Sequence, residues 1–266
     1  MGDTPRHPNL SARQQAILDH ARHHGDVQVE LLADTFQVTP QTIRRDLNQL
    51  CQMRLLQRVH GGAVIADGVE NLGYAARKLL AAEMKEAIGR RAAMLIPNDS
   101  SLIINIGTTT EQVAEHLIGH VGLLVITNNI NVVNTLRNSD TIEVMTAGGL
   151  VRREDGGIVG EATTDFIRQF KVDYAVIGAS AIEEDGTILD FDMREVRVAQ
   201  TIIRNARSVI LVADEMKFHR KAPIRIGSIA DIDYFVTDKR PPGAFLEVCA
   251  AHGVEVIMTH DKKPHS

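Results

Sequence analysis

The chain has 266 residues, of which 44% are hydrophobic and 24% charged, and its formal net charge is −5. That balance is ordinary for a globular protein, and neither a run of 18 apolar residues nor the apolar core of a signal peptide occurs. Its two cysteines, Cys51 and Cys249, are too few for a disulfide framework. We therefore expect free thiols, no membrane contact and a cytoplasmic protein.

Two helices are predicted near the start of the chain. Ser11 can cap the first helix, and Gly25 is placed to end it. The second helix fits residues 29–36. Its expected buried residues are Leu31, Leu32 and Phe36.

A third helix is predicted from Thr39, a suitable N-cap, to about Cys51. Pro40 occupies the first helical position, where a missing N–H has no cost. Its expected buried stripe is Ile43, Leu47 and Leu50. The following residues, "LLQRVHGGAVI", read as two short strands about a Gly61-Gly62 turn. Residues 1–65 are thus predicted to form a winged helix-turn-helix domain.

The third helix and the wing concentrate positive charge in an acidic chain. Residues 39–60 contain four arginines and one aspartate. Arginine, glutamine and asparagine side chains can read base edges in the DNA major groove. The candidate DNA-binding residues are Thr39, Gln41, Thr42, Arg44, Arg45 and Asn48 on the helix, and Arg58 and His60 on the wing. The alternative is a solvated helix face on which an arginine pairs with Asp46.

Residues 66–82 are predicted to be a linker, and residues 83–266 an α/β domain. Seven apolar runs alternate with helical segments in that domain, which is typical of a parallel sheet covered on both faces. The runs are 101–106, 123–127, 142–147, 174–180, 208–214, 234–238 and 254–260.

Several strand ends of this domain carry residues suited to binding an anion. Gly107 and Thr108, Thr109 and Thr110 lie between a strand and a helix, where a tight turn and helix N–H groups favour phosphate. The threonines could instead only cap the helix. The next two strands end in Asn128-Asn129 and Gly148-Gly149, and ligands of open α/β sheets bind at such ends.

Charged residues later in the chain complete the predicted ligand site. Arg152 could clamp a phosphate, or it could lie in a solvated loop. The other candidates are Glu161, Asp190, Glu195, Asp214 and Lys217. The carboxylates could accept bonds from ligand hydroxyls or form ion pairs on the helix, and Lys217 could bind phosphate or be a surface lysine.

No metal site or cofactor is predicted. His116 and His120 are four residues apart beside Glu115, but their order is not that of the H-E-x-x-H zinc motif. The histidines form no Cys/His cluster elsewhere.

The sequence "VTPQTIRRDLNQL", followed by "RVHGGA", resembles the DNA-binding signature of the DeoR-type bacterial repressors. The resemblance continues through "INIGTTTEQVAEHL", "AGGLVRREDGGIVGEATTDFI" and "LDFDMREVRVAQTIIRNA". It implies an N-terminal winged helix and a C-terminal sensor domain related to sugar-phosphate isomerases and CoA transferases. It also implies a repressor that binds operator DNA and that a phosphorylated metabolite releases. Within the family the motifs are most similar to regulators of glycerol metabolism, which implies glycerol 3-phosphate as the effector.

Three functions remain to be compared. A nucleoid-associated repressor, of glycerol genes or of another sugar-phosphate pathway, would act as a homo-oligomer, dimer or tetramer, on repeated half-sites. A sugar-phosphate isomerase could use Asp190, Glu195, Asp214 and Lys217 for proton transfer. A nonspecific nucleic-acid module would bind DNA without responding to small ligands. The winged helix favours the repressor, and we expect no catalytic residues.

Overall fold

The computed structural model describes residues 10–24, 26–53, 55–59, 62–65, 74–79 and 81–260. The chain divides into two compact units, Met1–Leu80 and Ala81–Ser266. The division lies within the stretch 66–82 that was predicted to be a linker. In the described ranges, no helix is long and apolar enough to cross a membrane.

The N-terminal unit has the predicted winged helix-turn-helix arrangement. Its elements are α1 (Ala12–His24), β1 (Asp26–Gln28), α2 (Val29–Phe36), α3 (Pro40–Gln52), β2 (Leu56–Val59), β3 (Gly62–Ile65) and α4 (Tyr74–Leu79). Ser11 Oγ accepts a hydrogen bond from the Gln14 N–H at 3.2 Å, and Gln14 Oε1 accepts one from the Ser11 N–H at 3.0 Å. This reciprocal capping starts α1, so the predicted role of Ser11 is confirmed.

Two details of this unit differ from the sequence predictions. Leu31 is 53% exposed, because α2 turns Val29, Leu32 and Ala33 inward and Leu31 lies on the opposite side of the helix. In the wing, Gly62 pairs with Val59, so Gly62 belongs to β3 rather than to the turn. A third strand, β1, pairs antiparallel with β3 and was not predicted.

The C-terminal unit alternates strands and helices. Its helices are α5 (Ala82–Ala93), α6 (Thr108–Leu117), α7 (Ile130–Leu136), α8 (Glu161–Ile167), α9 (Met193–Arg204) and α10 (Gly243–His252), with 3-10 helices at Glu215–His219 and Ile229–Asp231. Its strands are β4 (Ser101–Ile104), β5 (Leu123–Thr127), β6 (Ile142–Thr146), β7 (Leu150–Val151), β8 (Ile158–Val159), β9 (Val172–Ile177), β10 (Ala181–Ile182), β11 (Thr187–Asp190), β12 (Ala206–Val212), β13 (Ile224–Ser228), β14 (Tyr234–Thr237) and β15 (Glu255–Met258).

Each of the seven predicted apolar runs contributes a strand to one sheet. The strand order is β15-β14-β12-β9-β4-β5-β6, and all neighbours pair in parallel. The first strand of this sheet in sequence, β4, therefore lies inside the sheet, and the chain adds two strands on one side of it and then four on the other. This order places a topological switch point between β4 and β9, where open α/β sheets bind ligands.

Each face of the sheet has its own hydrophobic core. Leu102 and Ile104 of β4 pack on one face with residues of α5, α6 and α7. Ile103, which points the other way, packs with residues of α8, α9 and α10. Because helices cover both faces of the sheet, the strand residues on both faces are apolar. The runs in the sequence therefore show no alternation of apolar and polar residues.

Gly149 lets α8 approach the end of β6 closely. Its φ is +151°, and a Cβ added there would lie 2.3 Å from Thr163 Oγ1 and 2.9 Å from the Val159 carbonyl oxygen. A Cβ added at the neighbouring Gly148 would meet no atom within 4 Å. Of the two predicted site glycines, only Gly149 is thus required by packing.

We expect Gly149→Ala to lower the free energy of unfolding by about 1–3 kcal/mol, because a side chain there combines an unfavourable φ with an overlap. Gly148→Ala, the matched control, should change it by less than about 0.5 kcal/mol. Urea denaturation followed by far-UV circular dichroism measures both. Equal stabilities of the two variants would contradict this role of Gly149.

Candidate functional site

An outward stripe of polar side chains runs along α3. Gln41, Arg45 and Asn48 are spaced four and three residues apart and are all exposed. Within the part of the chain that the structure describes, none of the three makes a side-chain hydrogen bond or ion pair. Their donors and acceptors are therefore available to an external partner such as a base edge.

The acidic residue of α3 points away from this stripe. Asp46 is 5% exposed, and its carboxylate accepts a hydrogen bond from Arg13 Nε at 2.6 Å and from Gln14 Nε2 at 3.4 Å. The bond to Asp46 raises the pKa of Arg13. Asp46 thus joins α1 to α3: the arginine that pairs with it is Arg13 of α1, not Arg44 or Arg45 of its own helix.

Three other predicted DNA-binding residues, Thr39, Thr42 and Arg44, lie on or next to α3 beside the stripe. Arg44 pairs with Glu30 of α2 at 3.3 Å, but both side chains are exposed, so the pair adds little stability. Thr39 caps α3, and its Oγ1 lies 2.9 Å from Thr42 Oγ1. Arg58 lies in β2 opposite Ala63, and His60 lies outside the described residues.

The turn from β4 into α6 presents backbone N–H groups at a helix N-terminus. Gly107 precedes the helix with φ +148°, and no described side chain caps this end. Thr110 is fully buried, and its hydroxyl lies 2.7 Å from the Asn105 carbonyl oxygen and 2.8 Å from that of Gly107. Thr110 therefore holds the turn closed, while the Thr108 and Thr109 side chains make no hydrogen bond among the described residues.

The two asparagines after β5 have different partners. Asn128 donates from Nδ2 to the Ile158 carbonyl oxygen at 3.1 Å. Asn129 caps α7 by accepting from the Asn131 N–H, and it donates from Nδ2 to Glu111 Oε1 at 3.0 Å. Both ends of the Asn129 amide are therefore bound within the protein.

Arg152 is buried and surrounded by carboxylates. Its Nε and Nη2 donate to the two oxygens of Asp155 at 3.1 and 2.6 Å, and its Nη1 contacts Asp192 at 3.3 Å and Glu195. Hydrogen bonds from Arg194, with a smaller contribution from Arg152, lower the pKa of Asp192 to about 2. The structure thus uses Arg152 to fasten the loop after β7 to the start of α9, and Glu195 takes part in that cluster.

Three further predicted residues, Asp190, Asp214 and Lys217, lie at or shortly after the ends of β11 and β12. Asp190 ends β11 and accepts hydrogen bonds from Ser180 Oγ at 3.2 Å and from the Phe191 N–H. Asp214 follows β12 and caps the 3-10 helix that contains the buried Lys217. Burial is the first cause that raises the pKa of the neighbouring Asp238, and Asp214 adds to it.

Gly178 shows that these strand ends converge. A Cβ built on it would lie 3.8 Å from Thr110 Cγ2 and 4.0 Å from the carbonyl oxygens of Ile106 and Val212. The ends of β4, β9 and β12 therefore meet around a residue without a side chain. This crevice is the candidate ligand site.

Glu161 lies apart from that crevice. It is exposed at the start of α8 and lines a groove of about 390 Å³ between α8 and α9. Arg168, Arg194, Arg197 and Arg204 line the same groove. Gly148 and Gly149 lie next to α8, since the Gly148 carbonyl oxygen accepts a hydrogen bond from Thr163 Oγ1 of that helix.

The sequence reasoning missed Asn105, Gly178, Ser180 and Asp155. Asn105 and Gly178 were read as parts of apolar runs, although a polar residue or a glycine at the end of a parallel strand is itself a signal of a ligand site. The described residues contain no cluster of His, Cys, Asp and Glu that could hold a metal ion. His116 and His120 each bond a backbone carbonyl oxygen, of Gln112 and Ile96 respectively.

Two domain families match the chain. The DeoR-like helix-turn-helix domain matches residues 13–69, and the DeoR C terminal sensor domain matches residues 80–239.

Characterised relatives match over nearly their whole length. The glycerol-3-phosphate regulon repressor of Escherichia coli strain K12 is 44% identical over 92% of this chain and 98% of its own. The protein of the same name from Haemophilus influenzae is 44% identical over 88% and 91%. The transcriptional repressor CsqR of Escherichia coli strain K12 is 36% identical over 94% and 95%.

Solved structures are more distantly similar. Ribose 5-phosphate isomerase A of Methanocaldococcus jannaschii matches 52% of this chain and 55% of its own, with 14% identity and a TM-score of 0.40. The eIF2B beta subunit of Chaetomium thermophilum matches 67% and 55%, with 14% identity and a TM-score of 0.45. Nothing about the chemistry of this chain follows from likeness at that level.

We expect Arg152→Met to lower the free energy of unfolding by roughly 3–5 kcal/mol, because it leaves buried carboxylates without their counter-charge. The control Arg153→Met removes the same charge from an exposed neighbour and should have an effect below about 0.5 kcal/mol. Urea denaturation of the two variants distinguishes them. A small effect at Arg152 would mean that the carboxylate cluster does not depend on it.

Proposed function

The chain belongs to the DeoR family of transcriptional repressors, and on that basis we propose how its two units share the work. The N-terminal unit binds operator DNA, and the C-terminal unit senses a small phosphorylated metabolite that releases the repressor. The repressors of the glycerol-3-phosphate regulon that match the chain at 44% identity support glycerol 3-phosphate as that metabolite.

The observation that carries DNA reading is the outward stripe Gln41, Arg45 and Asn48. It lies on α3, the second helix of the helix-turn-helix. In proteins of this kind that helix enters the major groove. Arginine can bond guanine with two hydrogen bonds, and glutamine or asparagine can do the same with adenine. Arg44, already near Glu30, and the wing then contact the phosphate backbone.

The crevice at the ends of β4, β9 and β12 is the proposed effector site. The open N–H groups at the start of α6 attract the phosphate, since a helix N-terminus carries partial positive charge. Lys217 adds a positive charge at the end of β12. Thr109 is 6% exposed and its hydroxyl has no partner among the described residues, so it is well placed to bond a phosphate oxygen.

Effector binding has to favour a state that does not hold DNA. A coupling of about 1–3 kcal/mol between the two sites is typical of such regulators. We propose that two or four copies associate through their sensor units, because repeated half-sites require a fixed spacing between winged helices. Sedimentation velocity at the concentrations used for DNA binding tests this assembly.

An enzymatic function is the alternative, and the carboxylates at the crevice are the observation in its favour. However, Asp190 is bonded to Ser180 and Asp214 caps a helix, so each already has a structural partner. Glycerol 3-phosphate also has no carbonyl group to isomerise. Measurable aldose–ketose isomerisation of any three- to six-carbon sugar phosphate would support the enzyme instead.

We expect Arg45→Ala to weaken operator binding by roughly 10–100-fold, the loss of one bidentate base contact. Binding to unrelated DNA should change little, so discrimination between the two DNAs falls. Fluorescence anisotropy on promoter DNA of glycerol-uptake and glycerol-kinase genes measures this. Arg137→Ala, which removes the same charge from an exposed position in the sensor unit, is the control.

A uniform loss on both DNAs, with a salt dependence reduced by about one phosphate contact, would instead place Arg45 on the DNA backbone. An unchanged operator affinity would contradict the assignment of the stripe.

We expect Thr109→Val to leave operator binding intact but to require roughly 10–100-fold more glycerol 3-phosphate for release, because a hydrogen bond to a charged group is lost. Glycerol, inorganic phosphate and fructose 1-phosphate are the comparison ligands in the same anisotropy titration. Thr135→Val, at a half-buried position of α7, is the control variant and should respond like wild type. An unchanged response of Thr109→Val would move the phosphate site elsewhere.

A further inference from the structure

Asn105 and Asn128 lie at neighbouring positions beyond the ends of β4 and β5. The register of these strands pairs Ile103 with Ile126 and Ile104 with Thr127. The next pair in that register is Asn105 and Asn128. The Asn105 N–H bonds the Val176 carbonyl oxygen of β9, the neighbour of β4 on its other side. Alternation along the strands directs both side chains to the face that carries Ile103 and Ile126.

Both amides are buried, and each has an oxygen without a donor. Asn105 is 6% exposed and Asn128 is fully buried. Among the described residues no donor reaches Oδ1 of either side chain. The orientation of Asn128 is fixed because its Nδ2 donates to the Ile158 carbonyl oxygen. Buried acceptors are almost always satisfied in folded proteins, so two neighbouring exceptions call for a partner.

Asn105 lies directly before the proposed phosphate site in the chain, and Asn128 is its neighbour in the strand register. Asn105 is two residues before Gly107, and its carbonyl oxygen accepts the bond from Thr110 that closes the turn into α6. One side of this turn therefore offers N–H donors, which suit a phosphate. The other side offers two amide oxygens, which can accept hydrogen bonds from hydroxyl groups.

We propose that Asn105 and Asn128 form the part of the effector site that recognises hydroxyl groups. This inference rests on the proposed function, in which the phosphate lies at the start of α6. Each amide oxygen accepts a hydrogen bond from one hydroxyl of a phosphorylated polyol. The pair therefore selects such a ligand over a phosphate ester whose chain carries no hydroxyl, because the buried oxygens would then stay unpaired.

The test compares glycerol 3-phosphate with 3-hydroxypropyl phosphate and n-propyl phosphate, which lack one and both free hydroxyls. Release of wild-type protein from operator DNA, followed by fluorescence anisotropy, should require roughly 10–100-fold more ligand for each hydroxyl removed. For the Asn105→Leu variant, the concentration of glycerol 3-phosphate needed for release should rise by a similar factor. The concentration of n-propyl phosphate needed for release should not change. The discrimination between the two ligands should therefore shrink. The exposed Asn138→Leu should behave like wild type.

Thermal unfolding separates recognition from a structural role. Replacing an unpaired buried amide by an apolar group of similar size should leave the melting temperature of the ligand-free protein unchanged or raise it. A structural role would lower it. Asn105→Ala, which adds no bulk, should lose the same discrimination and excludes blockage by leucine as the cause.

The outcomes distinguish this inference from the function on which it rests. If wild type is released by glycerol 3-phosphate and Asn105→Leu and Asn105→Ala discriminate between the ligands as wild type does, the inference is wrong and the effector site stands. If wild type responds to no phosphorylated polyol, the proposed effector function fails and the inference fails with it.

Discussion

The parallel direction of all seven strands in the sensor sheet determines where its chemistry can lie. Because all these strands run in the same direction, the turns that follow β4, β9 and β12 all open at one edge. A Cβ on Gly178 would lie 3.8 Å from Thr110 Cγ2 and 4.0 Å from the Val212 carbonyl oxygen, so these strand ends lie close together. The crevice follows from topology, and the side chains only give it chemical character.

Most of the polar residues around that edge already form hydrogen bonds or ion pairs within the protein. Thr110 closes a turn, Asn129 caps α7, and Arg152 joins a loop to α9. Such fully paired networks hold the few remaining groups in fixed positions, which is what a selective binding site needs. Among the described residues, the groups left over at this edge include the N–H groups of α6, the Thr108 and Thr109 hydroxyls and two amide oxygens.

The sequence predicted the elements of this fold better than the roles of their side chains. Strong local signals placed the Thr39 cap, Pro40 and the seven apolar runs correctly. Leu31 was misplaced because an eight-residue helix has too few turns to define its buried face from pattern alone. Short strands such as β1 and β7 carry no pattern at all, since pairing with distant residues creates them.

Side-chain roles depended on partners far away in the sequence. The contact of Arg152 with Asp192 spans 40 positions, and that of Asp46 with Arg13 spans 33. No local pattern distinguishes a buried ion cluster from a phosphate clamp, because both require an arginine in a polar loop. Residue types at strand ends therefore suggest only a candidate site, and tertiary contacts decide which of those residues remain available to a ligand.

The opposite orientations of Asp46 and of the stripe on α3 separate two properties of the same helix. Asp46, with Arg13 and Gln14, fastens the helix to its own domain, while the side chains of Gln41, Arg45 and Asn48 form no hydrogen bond among the described residues. If the stripe reads the operator, as we propose, substitutions along it change which operator is read without a cost in folding. The proposed function then allows such a repressor to be retargeted to a new set of genes by three surface positions, with its metabolite response inherited unchanged.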